Sequence, residues 1–157
     1  MEIAKIPYES VVSSSGIMKP NYHLNYGKKR IESALRNSKP FQNLEDITAN
    51  IYTGGIFKRV FVADEKYGLP YISAQNMMNA NPLDVAKIIS KKYTPRQNDM
   101  TLRDTHILVS CAGTVGNVRL ISKDLDGVIG SQDIIRVLAD NENIPYGFIY
   151  AYLASPT

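Results

Sequence analysis

The sequence predicts an α+β domain, a compact, curled mixed or antiparallel β-sheet of barrel-like form with a few flanking helices. Three observations predict it. From residue 41 onward, short β-branched and aromatic segments alternate with Gly, Pro, Asn and Asp punctuation, the texture of a many-stranded sheet. Helical periodicity is confined to the two ends of the chain. No internal repeat with a period of about 20 to 50 residues and no sustained heptad is present, which excludes solenoids and coiled coils. At 157 residues the chain has the length of one ordinary domain. Its texture divides it into an N-terminal arm and helix over 1–40 and a β-rich domain over 41–157.

Residues 1–20 carry the run Ser13 to Gly16 together with Pro7 and Pro20, and read as an extended or irregular arm. Residues 21–38 read as a helix. Pro20 and Asn21 mark its start, and Tyr22, Tyr26, Ile31 and Leu35 roughly share a face, which leaves Lys28, Lys29 and Arg30 to solvent. FQNLEDI (41–47) reads as a single helical turn. ITANIY (47–52) is a strand closed by Thr53-Gly54-Gly55, and the alternating IFKRVFVA (56–63) is a second. LPYIS (69–73) and AKIIS (86–90) follow, and THILVSCA (105–112) is the strongest strand signal in the chain. The turn Gly113-Thr114-Val115-Gly116 returns it as the hairpin partner NVRLIS (117–122). GVIGS (127–131) and DIIRVLA (133–139) complete the strands, and PYGFIYAYLASP (145–156) reads as a terminal helix begun at Pro145.

Composition excludes several function classes. The chain is 44% hydrophobic and 21% charged, the balance of a globular domain rather than a disordered one. No apolar run approaches the roughly 18 to 20 residues of a membrane span, and the N-terminus has no secretory h-region. The single cysteine, Cys111, excludes an internal disulfide and fits a reducing cytoplasm. It ends an apolar strand and reads as a small buried hydrophobe rather than a nucleophile. The two histidines, His23 and His106, have no metal-ligand spacing, so neither metal nor cofactor is expected. The net charge is +3, unevenly spread: residues 1–43 and 58–99 are positive, whereas 44–57 and 100–157 are negative. A basic face with a near-neutral remainder suits a polyanionic partner, and equally a solvated mixed surface.

No carboxylate pair stands in an acid/base arrangement, and Asp124 and Asp126 read as turn residues in DLDG. AGTVGN (112–117) matches no phosphate-loop motif and reads as a hairpin turn, although its glycines would let a phosphate approach Thr114 closely. The basic and amide residues are better placed. Lys58 and Arg59 follow the Thr-Gly-Gly turn, Gln75 and Asn76 follow LPYIS, Lys91, Lys92 and Arg96 surround Tyr93, and Gln132 precedes the last strand. Lys and Arg neutralise phosphates and pair with guanine, and Gln and Asn pair with adenine. Each such residue taken singly is ordinary surface.

The order of these segments resembles a family. The chain is similar, over about residues 41–155, to a target recognition domain of the DNA specificity subunit of type I restriction–modification enzymes. FQNLEDI resembles the opening L-x-D-I element, and GLPYISAQNM (68–77) resembles G-x-P-y-I-s-x-x-n-m. KIISKKY (87–93) is similar to k-y-I-s, and DTHILVSCAGTVGNVRLI (104–121) to g-D-I-L-v-s-x-x-G-t-v-G-r-v, the most specific stretch. GSQDIIRV (130–137) and GFIYAYLAS (147–155) follow in family order, and residues 20–38 resemble the lead-in helix of some members.

The resemblance implies a non-catalytic module that binds one half of a split double-stranded DNA target. It also implies partners: a DNA adenine methyltransferase subunit, a restriction (motor and nuclease) subunit, and a second recognition domain or a second copy. In that role Lys28, Lys29, Lys58, Arg59, Lys91, Lys92 and Arg96 would touch phosphates or bases, Gln75, Asn76 and Gln132 would read bases, and Thr114 would lie at the DNA. Two departures stand out. A full specificity subunit has two recognition domains joined by long helices, so one domain ending at LASPT implies a fragment or half-subunit. The family's glycine before Asp is missing from Arg103-Asp104-Thr105-His106, which implies an altered turn. The alternative class is a non-catalytic protein-interaction module, suited by ten tyrosines. A free-standing enzyme would need converging titratable groups around Cys111 or His106.

Overall fold

In the computed structural model, residues 5–14, 16–36 and 42–155 are described. The chain divides into two compact units, Met1–Gln42 and Asn43–Thr157.

The first unit holds α1 (Tyr8–Ser13), α2 (Pro20–Leu24) and α3 (Tyr26–Arg36). The expected irregular arm thus contains a helix. Ser14 Oγ donates to the carbonyls of Ser10 and Val11, so part of the serine run closes α1 instead of breaking it. The single helix expected over 21–38 is broken at Asn25, whose backbone is extended while its Oδ1 accepts from Gly27 N at 2.7 Å. Residues 37–41, including Phe41, and the side chains of Tyr26 and Lys28 lie outside the described residues. His23 is buried, with Nε2 2.5 Å from the Ile17 carbonyl.

The second unit opens with a 3-10 turn, Leu44–Ile47, where a helical turn is expected. Its strands are β1 (Thr48–Thr53), β2 (Gly68–Ile72), β3 (Lys87–Ser90), β4 (Ile107–Ser110), β5 (Val118–Leu120), β6 (Ile129–Gly130) and β7 (Ile134–Ala139). A short α4 (Gln97–Met100) follows β3, and α5 (Tyr146–Ala154) ends the unit. The mixed α+β class is as expected. The strands do not join one closed barrel, however: among the described residues they form a four-stranded sheet, β1-β7-β4-β5, and a three-stranded sheet, β3-β2-β6. The four-stranded sheet is antiparallel, and β2 and β6 run parallel.

Residues 56–63 alternate as a strand should, yet make only one bridge, Phe61 to Ile89. Ser90 N donates to Val60 O at 2.8 Å and Val62 N to Ile88 O at 2.9 Å, so this segment lies antiparallel along β3 without becoming a strand. β4 is apolar on both faces because both are covered. Leu108 joins Ile72, Met77 and Ile134 in the core that both sheets contribute to, whereas Ile107 and Val109 pack with Ile149 and Leu153 of α5. Full burial of each such side chain contributes about 1.5–3 kcal/mol.

β7 alternates as well, and its inward position 136 is an arginine with 0% exposure. Arg136 Nη1 donates to Ile134 O (2.8 Å) and Ser131 O (3.3 Å), and Nη2 to Gly130 O (2.8 Å) and Met100 O (3.2 Å). Its guanidinium also lies 5.9 Å from the Tyr52 ring centroid. One cation therefore ties β7, the β6–β7 connection and the end of α4 together. Within the altered turn expected over Arg103–His106, Thr105 adopts φ 71°, a left-handed backbone on a β-branched residue.

Candidate nucleic-acid interface

The register sorts the expected site residues into two groups. Gly68 pairs with Ser90, so β3 gives way to Lys91 and Lys92 at the start of β2. The edge segment 60–62 runs antiparallel to β3, which sends Lys58 and Arg59 toward that same end. Lys58, Arg59, Lys91 and Lys92 are exposed there. Arg59 Nη1 donates to the Tyr71 hydroxyl at 3.1 Å, and Lys92 Nζ stands 5.3 Å from the centroid of the exposed Tyr93 ring. Carboxylates sit nearby too: Asp64 and Glu65 are exposed just before Tyr67, whose carbonyl accepts from Lys91 N at 3.0 Å.

The amide residues leave at the opposite end. β2 runs out into Ser73–Asn76 and the parallel β6 into Ser131–Gln132, joined by Ser131 N donating to Ile72 O at 3.0 Å. Gln75 is exposed. Asn76 is occupied: its Oδ1 accepts from Ser73 Oγ (2.8 Å) and its Nδ2 donates to Val85 O (3.1 Å), so it holds the loop. Gln132 Oε1 is buried without a hydrogen-bond partner. The β4–β5 hairpin tip adjoins this end, because Cys111 N donates to Asp133 O at 3.0 Å. Inside the tip, the buried Ser110 hydroxyl donates to Thr114 O and accepts from Asn117 N at 3.0 Å. Gly113 (φ 71°) and Gly116 (φ 89°) make the turn, and Thr114 is exposed. A further brace was invisible in the sequence: Arg119 Nη1 donates to the carbonyls of Met77 (2.8 Å) and Asn79 (2.6 Å), fastening the loop after Gln75 to β5.

Arg96 follows Lys91 and Lys92 in the loop after β3 and lines a groove of about 610 Å³ between the end of β1 and the turn into α4. Thr53, Gly54 and Gly55 form one wall, and Arg96, Asn98 and Asp99 the other. Arg96 adopts φ 51°, and its Nε pairs with Asp99 Oδ2 at 3.0 Å. Sequence reasoning passed over Asn98 and Asp99. Their polar run was visible, but nothing in the spacing connects it with the distant glycine pair.

Cys111, expected to be buried, is exposed on the hairpin tip. His106 precedes β4 and Cys111 follows it, so the strand separates them. His106 is buried, and that burial, with Arg136 and Arg103 nearby, holds its imidazole below the ordinary pKa against the opposing pull of Asp126. Lys28 and Lys29 belong to the first unit, where Lys29 is exposed on α3. Among the described residues no cluster of three His, Cys, Asp or Glu side chains could hold a metal, and no helix is long and apolar enough to cross a membrane.

No curated protein matches the chain. The family model for the type I restriction modification DNA specificity domain matches residues 39–156, three-quarters of the sequence and nearly all of the second unit. The chain therefore belongs to the type I restriction modification DNA specificity domain family.

Proposed function

We propose that residues 41–157 are a non-catalytic target recognition domain, preceded by a separate N-terminal segment over 1–40, that reads one half-site of double-stranded DNA. The observation that carries this reading is the family match over 39–156. Lys58, Lys91 and Lys92 neutralise phosphates at the basic end, and Arg59 joins them while anchored on Tyr71. Gln75 meets base edges at the other end, Gln132 adds at most its Nε2 donor because its Oε1 is buried, Asn76 shapes their loop, and Thr114 brings the hairpin tip to the duplex. The five residues of β2 separate the two ends by about 17 Å, comparable with half a turn of B-DNA.

The domain works by delivery. A DNA adenine methyltransferase subunit and a restriction subunit do the chemistry, and a second recognition domain or a second copy reads the other half-site. The setting is a reducing cytoplasm, where the exposed Cys111 stays a thiol. Methylome sequencing of cells with and without the locus tests this. Loss of modified adenine at one split motif is the expected result, and an unchanged methylome contradicts it.

A second reading, a protein-interaction module without DNA contact, is favoured by α5, where Phe148 and Tyr152 stand exposed one turn apart. It gains only if the chain binds no duplex.

A further inference from the structure

We infer that Arg96 reads a guanine, oriented for that task by Asp99. The inference rests on the DNA-reading role proposed above and assigns one contact within it. The loop carrying Arg96 is braced from inside: Thr94 Oγ1 donates to Ser90 O at 2.6 Å, Gln97 Nε2 to the carbonyls of Lys91 and Thr94, and Thr101 Oγ1 to Gln97 O at 2.7 Å. These bonds hold Arg96 itself at φ 51°, an unfavourable backbone for a residue with a Cβ. The side chain emerges 75% exposed at the groove rim, so its charge stays in water while its base is fixed.

Gly54 and Gly55 line the wall opposite. Gly54 packs on the buried Met100, where a Cβ would lie 2.0 Å from Sδ, and a Cβ on Gly55 would lie 3.6 Å from Arg96 Nη1, an ordinary contact distance, so the guanidinium sits beside the Gly55 backbone. Asp99 takes Nε at 3.0 Å, and among the described residues it is the one polar partner of this guanidinium. Nη1 and Nη2 remain, both donors, in the end-on fork that fits guanine O6 and N7. Two phosphate oxygens fit the same fork. The carboxylate beside it repels phosphate and limits rotation of the guanidinium plane, which favours the base edge.

The test is selection of bound duplexes from a randomised pool by the full chain, its Arg96→Lys variant and its Asp99→Asn variant. Lysine at position 96 carries the same backbone cost and keeps the charge, but loses the fork. Arg96→Lys should abolish preference for guanine at one position, by about 5- to 150-fold, with preferences elsewhere retained. Asp99→Asn should weaken preference at that same position by less. A uniform loss across all sequences would assign Arg96 to phosphate and overturn the inference, as would an unchanged preference in both variants. Failure of the unaltered chain to bind any duplex would overturn the functional reading itself, a result distinct from either.

Discussion

Arg136→Met tests the account of how the two sheets are joined. Methionine roughly fills the arginine volume but removes every donor. The two bonds at 2.8 Å, to Ile134 O and Gly130 O, dominate the loss, with those at 3.2 and 3.3 Å weaker. Charge-assisted bonds contribute about 1.5–3 kcal/mol each, a gross loss of about 3–6 kcal/mol. Burial of a cation opposes part of this. It pushes the guanidinium pKa below its ordinary value, and no carboxylate neutralises the side chain among the described residues. A net destabilisation of about 2–4 kcal/mol is expected, a large share of the roughly 5–15 kcal/mol that holds a domain folded. Urea denaturation reads it directly. With a slope of about 2 kcal/mol/M the midpoint should fall by about 1–2 M at unchanged slope. A change under about 1 kcal/mol, or a gain, would refute the reasoning, because the cost of burying the charge would then match what its bonds contribute.

Three further outcomes follow from single positions. Thr105→Gly should stabilise by about 0.5–1 kcal/mol, since relief of a left-handed backbone (about 1–2 kcal/mol) exceeds the added chain entropy of glycine; a melting temperature raised by about 2–4 °C checks it, with Thr105→Ala, which keeps a Cβ, as the control. His106 is harder to protonate folded than unfolded, so the unfolded chain binds the extra proton and stability falls as pH drops below about 6.5, by at most about 1.4 kcal/mol per pH unit; denaturation between pH 7.5 and 5.5 should show a flatter dependence in His106→Asn, and an equal slope would contradict it (about 6.5 being the reference value). Gly68→Ala should cost about 1–3 kcal/mol, because the new Cβ would stand 2.7 Å from the Ile89 carbonyl and 2.2 Å from Ile88 Cγ2; an unaltered urea midpoint would show that β2 and β3 can part.

Much of the fold was legible in the sequence because burial writes itself into patterns. β4 reads as a strand since both faces are covered, and the β4–β5 hairpin reads from its glycines. The alternating 56–63 segment misled because alternation reports which side is covered, not whether a neighbour pairs along the whole length; here only residues 60–62 reach β3. The break at Asn25 depends on a side chain competing for a backbone N–H, which periodicity does not register. The site was half legible. Basic and amide residues could be named, but their grouping follows from register: Lys91 and Gln75 stand close in sequence to strands that leave the sheet at opposite ends. Arg136 and Arg119 were opaque because their partners are backbone carbonyls, which carry no residue signature. The bond from Asn76 Nδ2 to the carbonyl of Val85 was hidden for the same reason.

The most direct test of the central claim is the affinity of the full chain for a duplex carrying its half-site, identified from the methylome, measured across salt. The account expects association in dilute buffer, with log K falling against log salt by about 0.9 for each phosphate neutralised. Replacing Lys91 and Lys92 together by alanine should flatten that slope by about 1.8. No association in dilute buffer, or an unchanged slope in the double variant, would contradict it.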